Sequence, residues 1–429
     1  YFHTRASLGK NSILDEPLGP SLGVQAQLPV LLAEYVFNTK EDISDYLKLL
    51  NTVRSYFQSI LELEKQKSAA GLFMSDKTLD RILKQCQSFI ADPDSNYMDD
   101  IFAQKLKTFS NPILSAKDQQ KLCTYHHKLI CQEVIPAYQE LITGLETLRG
   151  TGKNSRGLAF FNGGREYYLY LLRSQTGTYV PVKRIEQRLS AQLLSDYRQI
   201  RSLLQKDPTL ISNLSGYSNG LTLSPDEMLK TLPKLMAKDF PQLNDVTYEI
   251  RSVHPSMKSF LSPAFCLTPP IDTQIPNVIY INDSGRTNSL ELFGTLAHEG
   301  FPGHLYQSVS SGRSLSAVHL PSLSGVTYYG GYLEGYATYV EFLSYDYAKK
   351  AAAQLSLNDQ SALYYDYLMY QRRICLNLYS ILDIMIHYEG AACNDIAPFL
   401  KRIGITDAEA LQSIYDYIAT EPATYIKYY

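Results

Sequence analysis

The sequence predicts a mainly helical α+β fold, in which long helices accompany one small β-sheet. Apolar residues recur at three- and four-residue spacing through much of the chain, which is the period of an amphipathic helix. Strand-like runs are scarce and lie in the second half. The length of 429 residues and the hydrophobic content of 45% are sufficient for a large buried core.

The helices follow from this period in chain order. The clearest spans 42–66, where Ile43 and Leu47 begin a continuous apolar face. Loops rich in Gly, Pro, Asp, Ser and Asn separate it from the others, at 92–96, 150–164 and 207–225. The same pattern predicts helices at about 76–90, 117–149, 182–205, 225–238, 330–352, 357–388 and 406–418.

The strand candidates are 246–253 (VTYEIRSV) and 278–282 (VIYIN), which are rich in β-branched and aromatic residues. The second comes just before position 290. It is either an edge strand, to which an extended peptide could add by main-chain hydrogen bonds, or an ordinary internal strand. The pattern alone does not choose between these two.

Composition and charge exclude several classes of protein. The 40 Lys and Arg residues against 43 Asp and Glu residues give a net charge of −3, which lacks the basic footprint of a nucleic-acid binder. The six cysteines form no CxxC pair, so we expect free, buried thiols. No run reaches the roughly 18 apolar residues of a membrane span. Because the chain begins with Tyr1 rather than Met, we expect the natural chain to begin upstream. Composition leaves location and oligomeric state open.

One segment, 295–307 (TLAHEGFPGHLYQ), combines residues that metal sites use. His-Glu followed by a second His at i+4 on a helix is typical of a zinc site in which the Glu activates water. Here position i+4 is Pro302, and the next His is His304 at i+6. Six residues of regular helix turn through about 600°, which leaves the two side chains about 120° apart. The histidines can share a metal only if the helix is interrupted between them.

Pro302 and Gly303 supply such an interruption. The proline ring clashes with the carbonyl group of residue 298 and lacks an N–H, and glycine gives the chain freedom to return. The pattern thus predicts a broken helix that brings His304 back toward His298. The alternative is that His298 and Glu299 lie on a solvated helix face and that the Pro-Gly pair simply ends this helix. The spacing favours neither the metal site nor this alternative.

A two-His site needs a third ligand, usually a carboxylate from a following helix. Glu334 lies on such a predicted helix, and Gly335 and Ala337 beside it would allow close packing against the metal helix. Glu341, seven residues further on, shares the face of Glu334. It is a candidate acceptor that orients a ligand His.

These motifs resemble those of a known family. Residues 298–307, HEGFPGHLYQ, resemble the HExxPGHHxQ signature of the DUF885 family, a zincin-like group placed with the gluzincin metallopeptidases. Residues 333–341 are similar to the family's EGWAxYxE, with Tyr336 in place of Trp. Residues 383–391 resemble its DxGxHxxGW, with Ala391 in place of Trp. The resemblance covers most of the chain.

The resemblance implies a zincin-like fold and a metallopeptidase that uses one Zn²⁺ ion. It makes His298, His304 and Glu334 the metal ligands, and Glu299 the general base acting on the metal-bound water. The substrate would be a peptide or a small amide. The alternative is a non-catalytic zincin-fold protein that binds a partner at its surface. Glu299, which hydrolysis needs and binding does not, favours the enzyme.

Two further residues are candidates for stabilising the oxyanion of the reaction. His387 lies four residues after Asp383, which could fix its tautomer, and a His packed in the core beside Asp383 is the equal alternative. Tyr428 matches a recurrent tyrosine of the family, with Tyr425 as second choice.

The chain is predicted to form a helical lobe, 1–210, and a catalytic lobe, 211–429, with a substrate channel between them. Because the resemblance runs through both, we expect one continuous unit. It also favours an extracytoplasmic or lipoprotein-anchored location over a cytoplasmic one.

Three other sequence patterns give weaker indications of function. Residues 216–220 fit GxSxG but lie in a polar loop without a preceding strand, which argues against a serine hydrolase. The side chains of His126 and His127 diverge by about 100° on a helix, so we expect no joint metal site. Arg372 and Arg373 either meet a substrate carboxylate or form a charge pair on a helix surface.

Overall fold

The structure is a computed structural model. It describes residues 2–20, 23–213, 221–253, 258, 262–267, 275–283, 288–317, 329–354 and 360–429. The GxSxG-like segment 216–220 lies outside these ranges.

Helices dominate the described residues. The first half contains α1 Phe2–Ala6, α2 Val24–Ala33, α3 Lys40–Ala69, α4 Asp76–Phe89, α5 Tyr97–Thr108, α6 Ala116–Leu129, α7 Ile135–Glu146, α8 Gly164–Thr176 and α9 Val182–Lys206. The second half contains α10 Pro225–Leu235, α11 Ser289–Glu299, α12 His304–Ala317, α13 Gly330–Gln354, α14 Gln360–Ile384, α15 Cys393–Arg402 and α16 Ala408–Ala419. Shorter turns are the 3₁₀ segments Gly9–Leu14, Leu158–Phe160, Met236–Lys238 and Ile426–Tyr428, and the π-turns Ile130–Val134 and Met385–Glu389.

The predicted fold class, mainly helical with one small sheet, is confirmed. The predicted helix 117–149 is divided by the π-turn Ile130–Val134. The sequence did not single out α2, because VQAQLPVLLA is apolar on nearly every side and shows no clear helical period. Among the described helices, none combines the length and apolar character that a membrane crossing requires.

The chain forms two compact units. The helical unit comprises residues 9–167 and 419–421, and the sheet unit comprises 1–8, 168–418 and 422–429. The division into lobes at position 210 stays a prediction.

In the helical unit, α3 is a 30-residue helix that starts at a capping box. The Thr39 hydroxyl accepts the N–H of Asp42, whose carboxylate accepts the N–H of Thr39 at 2.7 Å. The apolar face of α3 packs against α7, where the rings of Phe57 and Tyr138 lie 4.8 Å apart. Burial of such large side chains stabilises the unit by roughly 1.5–3 kcal/mol for each one.

The sheet unit contains three short strands, β1 Glu249–Ser252, β2 Ala264–Leu267 and β3 Val278–Ile281, in the order β1-β3-β2. Strand β1 runs parallel to β3 and β2 runs antiparallel to it. The central position of β3 agrees with its apolar sequence VIYI and its burial. The edge-strand interpretation of 278–282 is therefore wrong, because both sides of β3 are already paired.

The core of the sheet unit surrounds α11. Phe293, Leu296 and Ala297 of this helix are fully buried in a cluster that also contains Leu229 of α10 and Ile279 of β3. Asn288 caps the start of α11, because its side chain accepts the N–H groups of residues 290 and 291. The helix that carries the HEGFPGH motif is thus fixed at its start by a cap and along its length by apolar packing.

Candidate metal centre

The HEGFPGH motif forms two helices joined by a tight turn. Helix α11 ends at Glu299, and α12 begins at His304 after a cis Phe301–Pro302 bond. A Cβ atom added at Gly303 would lie 1.8 Å from the carbonyl oxygen of His298, so no larger residue fits there. The turn brings the imidazole rings of His298 and His304 to a centroid separation of 4.8 Å. The structure thus contains the interruption that the Pro-Gly pair predicts.

Glu334 of α13 reaches both imidazoles. Its Oε2 atom lies 3.4 Å from Nε2 of His298 and 3.5 Å from Nε2 of His304. A tetrahedral zinc ion with bonds of about 2.0–2.2 Å to nitrogen and oxygen separates its ligand atoms by about 3.3–3.5 Å. The carboxylate oxygen of Glu334 therefore lies at the spacing of a zinc coordination shell from each of the two imidazole nitrogens. Nζ of Lys427 lies 3.4 Å from the other oxygen of Glu334.

Glu341 holds His298 from the side opposite Glu334. Nδ1 of His298 donates to Oε2 of Glu341 at 3.0 Å, and Nε of Arg372 donates to Oε1 at 2.8 Å. This carboxylate fixes the tautomer that leaves Nε2 free for a metal, an arrangement typical of zinc-binding histidines. Arg372 therefore contacts Glu341, whereas Arg373 pairs with Asp196.

Glu299 is positioned by the sheet. Its Oε2 atom accepts the backbone N–H of Cys266 in β2 at 2.8 Å. Ligand atoms of His298, Glu299 and His304 all lie within 4.8 Å of one another. The Glu299 carboxylate is thus next to the imidazole nitrogens, with one oxygen fixed to the backbone of an edge strand.

Burial and charge oppose one another in this centre. Burial acts to lower the pKa of His298, but hydrogen bonds to Glu334 and Glu341 outweigh it and raise the pKa to about 10. Burial acts to raise the pKa of Glu334, but its contacts with His298 and His304 outweigh burial and hold that pKa well below its usual range. Burial raises the pKa of Glu299, and the charges of His298 and His304 offset only part of this increase. The carboxylates of Glu334 and Glu341 thus strongly favour positive charge at the His298 imidazole.

A comparison with protein-family models agrees with the family resemblance of the sequence. The model of a bacterial protein family of unknown function, DUF885, matches residues 6–429. The chain belongs to the DUF885 family. A search of curated proteins found no match.

Two solved structures share the fold of this DUF885 chain. One is described as a "putative lipoprotein" from Colwellia psychrerythraea, with a TM-score of 0.76, 18% identity and coverage of 96% of this chain and 72% of its own. Another protein of that description, of unknown function, comes from Shewanella oneidensis, with a TM-score of 0.56, 14% identity and coverage of 100% and 78%.

The structure of this DUF885 chain places the two oxyanion candidates differently. His387 is buried, and its Nε2 donates to the carbonyl oxygen of Ile418 at 2.9 Å. Its Nε2 lies 3.9 Å from Asp383, which instead accepts the hydroxyl of Tyr168 at 2.5 Å. Burial lowers the pKa of His387 to about 4 and raises that of Asp383 to about 7. A catalytic role for His387 stays a prediction.

Tyr428 lies near the centre, with its ring 6.5 Å from that of His298. Tyr425, in contrast, is buried and packs its ring against Tyr379 at 4.9 Å. Position 428 is thus better placed than 425 for an oxyanion donor, and its catalytic role also stays a prediction.

Three contacts of this DUF885 site were not predicted from the sequence: those of Cys266, Arg372 and Lys427 with the site carboxylates. A backbone N–H carries no sequence signal, and a basic residue gives no indication of which distant carboxylate it meets. Gly335 was predicted to allow close packing against the helix that carries His298. Among the described residues, an added Cβ would instead meet the carbonyl oxygen of Lys427, at 3.6 Å.

Proposed function

We propose that this chain is a zinc-dependent hydrolase, most simply a metallopeptidase, that cleaves peptide or small amide substrates. One observation carries the proposal. Oε2 of Glu334 lies 3.4 and 3.5 Å from the Nε2 atoms of His298 and His304, the spacing that a shared tetrahedral ion requires. Salt bridges alone do not require one oxygen to serve two imidazoles.

The donor set fits zinc. Two neutral imidazoles and one carboxylate form the ligand set of many catalytic zinc sites, which keep a fourth position open. Glu341 supplies the outer carboxylate that such a histidine uses at its second nitrogen. Lys427 offsets part of the negative charge of Glu334.

The bound ion would polarise the scissile carbonyl group and lower the pKa of a coordinated water to about 7. Glu299 takes the proton of the attacking water at a carboxylate oxygen and delivers it to the leaving nitrogen. The N–H of Cys266 fixes the direction of that carboxylate. Tyr428, whose ring lies 6.5 Å from that of His298, would donate its hydroxyl hydrogen to the developing oxyanion.

The test is digestion of a mixed peptide library, read by mass spectrometry with and without a chelator, together with metal analysis of the purified protein. We expect about one zinc ion for each chain and peptide cleavage that the chelator abolishes. Glu299→Gln should retain zinc and lose cleavage by a factor of at least about 100, the range for a general base. Glu409→Gln on the exposed face of α16 is the matched control and should behave like the wild type.

Two results would decide against the proposal. If the purified protein contains no zinc and His304→Ala has no effect on metal binding, the proposed metal centre is ruled out. Stoichiometric zinc without cleavage of any peptide would favour the zincin-fold binding protein.

We also propose a location outside the cytoplasm. The lipoprotein descriptions of the two solved structures support it, and the cytoplasm is the alternative. Fractionation of cells that make the natural protein tests this location. Release with cytoplasmic markers would contradict it.

A further inference from the structure

A second pair of metal-ligating side chains lies in the helical unit, where α6 passes into the π-turn. Nε2 of His127 and Sγ of Cys131 are 3.6 Å apart. The two residues are four positions apart, so they share a helix face. A tetrahedral ion with bonds of about 2.0–2.1 Å to nitrogen and about 2.3 Å to sulfur separates such atoms by about 3.6 Å. The pair therefore already has the spacing of two zinc ligands.

Asp99 of α5 orients the imidazole of this pair. Nδ1 of His127 donates to one oxygen of Asp99 at 2.8 Å, and Nδ1 of His126 donates to the other at 2.6 Å. His126 is fully buried, and its Nε2 lies 3.0 Å from the hydroxyl of Tyr46. Asp99 is thus held firmly, and a proton on Nδ1 of His127 leaves the Nε2 lone pair facing Cys131. Metal-binding histidines use a carboxylate in this way.

The surrounding charge favours a cation over a reactive thiol. Burial, followed by the charges of Asp99 and Asp94, raises the pKa of Cys131. A nucleophilic cysteine requires a lowered pKa, so a Cys-His-Asp nucleophile is disfavoured here. The same carboxylates attract a metal ion, which displaces the thiol proton when it binds. The side chain of His127 is 43% exposed, which leaves solvent access to the pair.

We propose that His127 and Cys131 bind a divalent transition-metal ion of the zinc class, with Asp99 as a positioning residue and solvent as the remaining ligands. A thiolate and an imidazole select such metals over Mg²⁺ or Ca²⁺. The π-turn Ile130–Val134, which contains Cys131, is a feature that often marks functional positions in helices. Because only two protein ligands hold the ion, we expect this site to have a lower metal affinity than the candidate metal centre. The proposal does not depend on whether that centre is catalytic.

Cobalt distinguishes the two sites in the whole protein. The predicted ligands of the candidate metal centre include no thiol, so thiolate-to-cobalt charge-transfer absorption reports the second site alone. We expect this absorption during titration with Co²⁺, and its retention in His304→Ala. Cys131→Ser should abolish it, and His127→Gln should weaken cobalt binding at least tenfold. Circular dichroism of each variant checks that it is folded.

The matched controls are the neighbouring thiols. Cys123→Ser, four residues before His127 on α6, and Cys266→Ser, in contact with Glu299 through its backbone, should leave the absorption unchanged. Absence of charge-transfer absorption in the wild type, or its survival in Cys131→Ser, would overturn the proposal. Loss of the absorption in Cys123→Ser but not in Cys131→Ser would do the same.

Discussion

Replacing Glu341 with Gln tests whether the carboxylate behind His298 sets the affinity for the proposed zinc ion. Both oxygens of Glu341 accept hydrogen bonds, from Nδ1 of His298 at 3.0 Å and from Nε of Arg372 at 2.8 Å. An amide of the same shape has one acceptor oxygen, so one of the two donors must face an NH₂ group. A hydrogen bond to a charged group contributes about 1.5–3 kcal/mol. We therefore expect zinc affinity to fall about 10- to 100-fold, as for other outer carboxylates.

The assay is competition for zinc against a chromophoric chelator at neutral pH. Glu409→Gln makes the same change in charge on an exposed helix surface and should leave the affinity unchanged. An unchanged zinc affinity in Glu341→Gln, or an equal loss in the control, would refute the reasoning. Circular dichroism should show that both variants retain their helix content.

Three other substitutions test the turn, a buried carboxyl group and the core. Gly303→Ala would place its Cβ 1.8 Å from the carbonyl oxygen of His298, so metal analysis should show loss of zinc from a protein that stays helical. Burial raises the pKa of Glu64 from 4.5 to about 8. The folded wild type therefore retains a proton that the unfolded chain releases, and it loses stability as pH increases between these values. Glu64→Gln should gain stability relative to wild type from pH 5 to 8 in urea denaturation, whereas the exposed Glu62→Gln should show no such trend. Phe293→Ala should lower the free energy of unfolding by about 3–5 kcal/mol in the same assay, and a change below about 1 kcal/mol would contradict its place in the core.

The local part of the candidate site could be predicted from the sequence because it depends on neighbouring residues. Pro302 cannot continue a helix, and Gly303 occupies a position where any side chain would meet the carbonyl oxygen of His298. Glu341 shares a helix face with Glu334 because seven residues make about two turns. These relations hold wherever the helices lie in the fold.

Contacts between distant segments could not be predicted in this way. The N–H of Cys266 reaches Glu299 across 33 positions, and Lys427 reaches Glu334 across 93. Where Tyr428 and His387 lie depends on how the C-terminal turn Ile426–Tyr428 and the π-turn Met385–Glu389 pack. Both residues were oxyanion candidates in sequence. In the structure the ring of Tyr428 lies 6.5 Å from that of His298, and Nε2 of His387 donates to the carbonyl oxygen of Ile418.

The sequence by itself determined the helical class, the helix break at Pro302 and Gly303 and the set of chemical groups in the candidate site, because periodicity and the stereochemistry of Pro and Gly act over a few residues. The tertiary structure alone decided that β3 is internal, that one oxygen of Glu334 serves both imidazoles, and that His127 faces Cys131 with Asp99 behind it. The reason is that strand pairing, carboxylate placement and helix packing depend on which remote surfaces are buried together, and a local pattern does not specify that choice.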